Sequence, residues 1–298
     1  MLYERSVGTP SSDDQIKMAT ELQTHRRSYA DELRFVANVR SSAVVEAFAT
    51  VPRERFVGPG PWRIRSPMNR VQYWTTEDAD PRHVYHDVLI ALNEARALNN
   101  GQPSLWAALF DVLNVAAGEQ ALHLGCGTGY YSAILAELVG GTGKVRALEI
   151  DRSLAAQASV ALEPWPQAEV IATDGAGYNA GQVDLIVASA GATHPAPTWL
   201  DALKPGARLL LPLTAHDRGG AMLLVTRQEA NAFAARFLRP VGFIEFAGLR
   251  DPEMAGRLDR AFRNGDMDSV RSLRRAPHPE DETCWLHGQG WCLSTKSE

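Results

Sequence analysis

From about residue 104 onward, short apolar runs alternate with helix-periodic stretches: QALHLG then YSAILAELVG, KVRALEI then SLAAQASVAL, AEVIATD, VDLIVASA then APTWLDAL, ARLLLPL, AMLLVTR and RFLRPVGFIEF. Runs that are apolar on both sides must be covered on both faces, and helices between them carry the chain back to start the next strand in the same direction. The expected fold class is therefore α/β: a Rossmann-like, doubly wound, mostly parallel sheet of about seven strands. With 298 residues and 45% hydrophobic content, the chain can bury one large core and still carry additions at each end. Upstream, Met18, Leu22, Leu33, Val36, Val39, Val44, Val45 and Phe48 recur at helical spacing and predict two or three helices within 12–50. The stretch VGPGPWRIRSP reads as a surface connection with fixed turns. Downstream, EMAGRLDRAFRNGDMDSVRSLRR is charged and helix-like, and CWLHGQGWCLS reads as a last strand. Three segments follow: a helical, substrate-side region over 1–103, the sheet domain over 104–250, and a C-terminal extension over 251–298.

Composition removes several function classes. A formal charge of -5 argues against a general nucleic-acid binder, which requires clustered cations, and leaves room only for a locally basic groove, so no nucleic-acid partner is expected. No run approaches the roughly 20 apolar residues that span a bilayer, and MLYERSVGTPSSDD lacks a charged start and an apolar centre, so no membrane partner and a cytoplasmic location are expected. Cys126, Cys284 and Cys292 form no disulfide framework and are expected as free thiols. His278, Cys284, His287 and Cys292 cluster late in the chain, but without a C-x-x-C pair the spacing argues against a metal site.

The stretch LHLGCGTGYYS places Gly125, Gly127 and Gly129 at every second position between a strand and a helix, the context in which bare backbone approaches a ligand. Tyr130 stands where a dinucleotide fingerprint would have its third glycine, so the spacing disfavours a nicotinamide cofactor. Glu149 closes the next strand, where a carboxylate accepts hydrogens from ribose hydroxyls, and Asp174-Gly175 closes the one after. A tight turn alone would explain the glycines, but not the two acids on neighbouring strand ends. Cys126 has no base beside it and reads as a small buried filler. His83 and His86 read as surface or packing residues. Arg63, Arg65 and Arg70 either steer an acidic peptide or are simply solvated.

LHLGCGTGYYSAILAELVG, ALEID and ATDG resemble the nucleotide-binding motifs of class I S-adenosylmethionine-dependent methyltransferases. More narrowly, VVEAFATVPRERFV, VYHDVLIALNEARALNNGQPSLWAALFDVL, LKPGARLLLPL and ARFLRPVGF, in that order over about residues 30–245, resemble the protein-L-isoaspartate O-methyltransferase family. The resemblance implies S-adenosyl-L-methionine as cofactor, held by Gly125, Cys126, Gly127, Thr128, Gly129, Tyr130, Glu149, Ile150, Asp174, Gly175 and Ser189. It implies a protein or peptide substrate whose isoaspartyl or related carboxylate takes the methyl group. Such an acceptor is ionised at neutral pH and requires no general base, although the site is expected to carry a lid that excludes water. The family reads Thr-Ile-Ser-x-Pro before the first sheet strand, with the Ser hydroxyl beside the reacting groups. Here Asn99, Asn100, Gly101, Gln102 and Pro103 correspond, so the hydroxyl is missing. Asn99, Asn100 and Gly101 are the expected catalytic wall, with Gln102, Ser104 and His194 as substrate contacts. A divergent acceptor, such as a carboxylate in a modified peptide or a small molecule, and a non-catalytic S-adenosylmethionine-binding role are the alternatives.

Overall fold

The computed structural model describes residues 11–68, 72–229, 231–275 and 277–297. Arg70 and the first ten residues, on which the leader reading rests, lie outside them. Two helices open the chain, α1 (Ser12–Val36) and α2 (Ser42–Thr50), the second capped by the Ser41 side chain accepting from Val44 N. Four short strands follow, β1 (Arg63–Arg65), β2 (Trp74–Thr75), β3 (Leu89–Asn93) and β4 (Leu98–Asn99), paired antiparallel in the order β2-β1-β3-β4. This small sheet was not anticipated, and the supposed surface connection supplies β1. Strands of two to five residues carry too little alternation to be read.

The main domain then runs α3 (Pro103–Leu113), β5 (Gln120–Leu124), α4 (Tyr130–Val139), β6 (Lys144–Glu149), α5 (Arg152–Ala161), β7 (Ala168–Ala172), β8 (Val183–Ala188), α6 (Pro197–Ala202), β9 (Leu203–Thr214), β10 (Gly219–Arg227) and β11 (Phe233–Gly242). Adjacent pairs among β5 to β9 are parallel, and β10 and β11 return antiparallel. These seven strands are the doubly wound sheet expected from the alternation. The end of the chain lengthens it. After α7 (Pro252–Asn264), β12 (Ser272–Arg274), β13 (Cys284–Gly288) and β14 (Trp291–Ser294) continue the same sheet, giving the order β13-β14-β12-β11-β10-β9-β8-β5-β6-β7. CWLHGQGWCLS is thus a hairpin rather than one strand, because Gly290 at φ 75° reverses the chain between two apolar halves.

Apolar side chains fill both faces. One cluster joins Tyr29, Phe48, Trp106, Phe110 and Tyr130 to the sheet. The other packs Trp199, Phe246, Leu258 and Leu273 against the opposite face. Among the described residues no helix is long and apolar enough to cross a membrane. Contrary to the spacing argument against a metal site, the ligating atoms of His278, Cys284, His287 and Cys292 converge to within 4.8 Å of one another. The hairpin sets their proximity, and separation along the chain does not report it.

Candidate functional site

Strand β5 ends at Leu124 and the chain must enter α4 within five residues. Gly125, Gly127 and Gly129 take φ of 71°, 58° and 95°, a region that side chains disfavour. Gly125 N and Cys126 N both donate to Leu148 O, at 2.8 and 3.0 Å, which fastens the turn to β6. Glu149, at the end of β6, then accepts from Gly127 N at 2.8 Å through one oxygen and from Asp151 N at 3.0 Å through the other. Only 7% exposed, its carboxyl is pushed above the ordinary range by burial, against the opposing pull of those two backbone N–H groups. Each oxygen keeps a lone pair for a further donor.

This turn forms one wall of a cavity of about 690 Å³, inside the usual range of roughly 300–1,000 Å³ for small-molecule sites. Gly125, Cys126, Gly127, Thr128, Tyr130, Glu149, Ile150, Asp174, Gly175 and Ser189 all line it. So do Asn99, Asn100, Gly101, Gln102 and Ser104 at the other end, together with residues 239–247, the end of β11 and the segment after it. A Cβ on Gly127 would meet nothing nearer than Leu92 Cδ1, itself a lining atom, at 4.0 Å, so a substituent there would occupy the cavity. The open face of Gly127, the doubly anchored Glu149 and the half-exposed apolar Ile150 together fit a nucleoside with a ribose diol. Asp174 Oδ1 is engaged by Ala176 N at 2.9 Å.

Two expected contacts lie elsewhere. Gly129 caps α4 and its missing Cβ makes room for Leu162 Cδ1, which would stand 3.0 Å away, so it shapes the turn without lining the cavity. His194 also stays off the cavity. Its Nδ1 lies 2.9 Å from Thr193 Oγ1, and burial holds its imidazole below the usual range. Cys126 is a buried thiol pushed well above its usual range by burial and by Glu149, which suits a filler and not a nucleophile. His83 pairs with Asp78 at 2.9 Å, and Arg63 with Glu94 at 2.7 Å, both at the surface.

The end of the cavity lined by Asn99, Asn100 and Gly101 is organised by residues whose roles sequence reasoning missed. Arg53, fully buried and with no carboxylate partner among the described residues, spends its guanidinium on Asn100 Oδ1 (3.1 Å) and on the carbonyls of Val84, His86, Val88 and Gly101 (2.9, 2.9, 2.8 and 3.4 Å). All five N–H donors thus have acceptors. The VPRERFV box therefore hangs the 84–101 segment, and with it the wall formed by Asn99, Asn100 and Gly101, on one cation. Asp87 accepts from Ser104 N at 2.8 Å and Ser104 Oγ at 2.7 Å, tying down the start of α3, and Gln102 Nε2 joins them. The hydroxyl of Ser104 is accordingly already donated.

Gly101 sits at φ 74°, and a Cβ added there would stand 2.9 Å from both Trp106 Nε1 and Tyr131 Cε2. The space a serine would need is filled by the stacked rings of Trp106 and Tyr131, whose centroids are 4.8 Å apart. Tyr131 lines the cavity, and its buried hydroxyl has no hydrogen-bond partner among the described residues. Beneath the glycine turn, His123 bridges Ser132 Oγ and Ser189 Oγ, each at 2.7 Å, and burial pushes its imidazole down to about 3. It is therefore neutral, donating through one ring nitrogen and accepting through the other, which orients the cavity-lining Ser189.

Residues 25–250 match the family described as Protein-L-isoaspartate(D-aspartate) O-methyltransferase. Similar proteins include Protein-L-isoaspartate O-methyltransferase 2 of Syntrophobacter fumaroxidans, 28% identical over 236 residues, covering 78% of this chain and 85% of that protein. Protein-L-isoaspartate O-methyltransferase 1 of Cupriavidus necator is 29% identical over 219 residues, covering 70% of this chain and 80% of that protein. A solved protein-L-isoaspartate O-methyltransferase superposes with a TM-score of 0.61 at 22% identity, covering 78% of this chain and 69% of that one. A Plasmodium falciparum structure in complex with S-adenosyl-L-homocysteine superposes with 0.59 at 16% identity, covering 74% and 97%. At these identities the superpositions establish the fold alone. The match ends at residue 250, so the extension lies outside it.

Proposed function

The chain belongs to the protein-L-isoaspartate(D-aspartate) O-methyltransferase family and is an S-adenosylmethionine-dependent O-methyltransferase; we propose that its acceptor is an isoaspartyl or closely related aspartyl carboxylate in a protein or peptide. The observation carrying this reading is one cavity with Glu149 and the Gly127 backbone at one end and the Arg53-held wall of Asn99, Asn100 and Gly101 at the other. S-adenosylmethionine supplies an electrophilic methyl group on a sulfonium. Glu149 would accept the ribose hydroxyls, Gly127 would leave room for the methionine portion, and Ile150 and Asp174 would border the adenine.

The acceptor, with an ordinary pKa near 4, enters already ionised, so the protein's task is alignment rather than proton removal. The buried charge of Arg53 behind the wall favours an anion in front of it, and burial strengthens that attraction relative to water. With no serine at 101, the unpartnered Tyr131 hydroxyl is the donor we assign to orient the carboxylate. Residues 239–247 would limit water around the reacting charges.

The Trp106–Tyr131 pair beside Gly101 also favours a second reading, an aspartyl carboxylate in a modified peptide in place of isoaspartate. Incubation with methyl-labelled cofactor and matched isoaspartyl and aspartyl peptides separates the two. Label on the isoaspartyl peptide supports repair-type methylation, and label on the aspartyl peptide alone supports the second reading. Label on neither, with tight cofactor binding by calorimetry, removes both acceptors.

A further inference from the structure

We propose that the C-terminal extension contains a structural zinc site, with His278 Nε2, Cys284 Sγ, His287 Nδ1 and Cys292 Sγ as its four ligands. Their ligating atoms all lie within 4.8 Å of one another. Cys284 Sγ is 3.4 Å from His278 Nε2 and 3.8 Å from His287 Nδ1. Tetrahedral zinc with Zn–S near 2.3 Å and Zn–N near 2.0–2.1 Å requires S···N edges of about 3.6 Å, so small side-chain movements complete the polyhedron. Two thiolates and two imidazoles make a closed donor set that suits zinc and leaves no position for a reacting water.

The backbone explains how this set forms without a C-x-x-C pair. Cys284 and His287 are three residues apart, which in a regular strand puts their side chains on opposite faces. The register between β13 and β14 shifts between Cys284 and Leu286, and that bulge returns both side chains to one face. Cys292 is the direct cross-strand partner of His287, so it joins them there. His278 arrives from the segment before β13, its ring 4.9 Å from that of His287 and nearly perpendicular to it. Asp281 N donates to Cys284 Sγ at 3.4 Å, the kind of outer hydrogen bond that steadies a thiolate ligand.

The site lies wholly beyond the family match and no described residue of 251–298 lines the methyl-transfer cavity, so the ion would serve architecture. It would pin the segment before β13 to the hairpin that ends the sheet. The ring trio of Phe237, Phe262 and Trp285 then anchors that hairpin on α7 and β11.

The test is the zinc content of the untagged full chain by inductively coupled plasma mass spectrometry, after passage over chelating resin. One zinc per chain is expected, falling to near zero in the Cys284→Ser/Cys292→Ser double variant and staying at one in His25→Ala. Should the double variant fail to fold, cobalt replacement in the wild-type chain decides: thiolate-to-cobalt charge-transfer and tetrahedral ligand-field bands support the site. Background zinc with no such bands overturns it, whether the two thiols are then found free or joined as a disulfide.

Discussion

Restoring a serine at position 101 tests whether the family's missing hydroxyl is the whole difference in the acceptor end or one part of a rebuilt wall. The structure answers through the Cβ. At φ 74° a side chain is in the left-handed region, at about 1–2 kcal/mol. The new Cβ would also stand 2.9 Å from Trp106 Nε1 and Tyr131 Cε2, and 3.3 Å from Trp106 Cδ1. Trp106 is 2% exposed and packed on Phe110, His123 and Phe243 as well as Tyr131, so it has little room to retreat. Overpacking of this kind costs about 1–3 kcal/mol. The sum, about 2–5 kcal/mol, is a large part of a typical stability of roughly 5–15 kcal/mol. Gly101→Ser is therefore expected to lower the denaturation free energy by that amount and to reduce methyl transfer to an isoaspartyl peptide. Gly101→Ala should do the same, because the clash belongs to the Cβ and not to the hydroxyl. Chemical denaturation and labelled-methyl assays on both variants provide the check. A serine variant with unchanged stability and increased isoaspartyl activity would refute the reasoning.

Other expectations follow from the same contacts. Glu149→Gln should weaken cofactor binding by about 1–3 kcal/mol, the loss of a charged hydrogen-bond acceptor, as read by calorimetry. Because burial raises the Glu149 carboxyl, cofactor affinity in the wild type should also fall with decreasing pH earlier than an ordinary carboxylate would cause, and the glutamine variant should lack that dependence. Arg53→Lys offers three donors to five acceptors, and the two left unpaired should cost about 2–6 kcal/mol in chemical denaturation. His123 has its folded value depressed to about 3 against an unfolded value near 6.5, so its contribution is present above about 6.5 and is lost as pH falls toward 3. Its share of that loss approaches about 1.4 kcal/mol per pH unit below 6.5. Urea denaturation at several pH values should show the slope reduced in His123→Asn.

The glycine turn and Glu149 were legible because their geometry is local: a strand end, a reversal that only bare backbone accommodates, and a carboxylate on the neighbouring strand. The strand–helix alternation was legible for the same reason, since each run reports its own burial. Arg53, Asp87, His123 and Tyr131 were not. Arg53 acts on acceptors 31 to 48 residues away and His123 on Ser189, 66 residues along, and no pattern in the chain announces such pairings. His194 was misplaced because a residue beyond the end of β8 can turn toward Thr193 and residues of the extension as readily as toward the cavity. The C-terminal cluster escaped because its adjacency depends on a one-residue bulge.

The order of the long sheet has a consequence for how the chain behaves in company. Without residues 251–298, β11 would end the sheet, and its first residues, where Ala234 pairs with Ser272 and Ala235 N donates to Arg271 O, would lose their strand neighbour. With them, the terminal strand is β13, five residues long and kinked, a poor platform for self-association. Truncating the tail thus bares the start of β11, a stretch that lies outside the cavity.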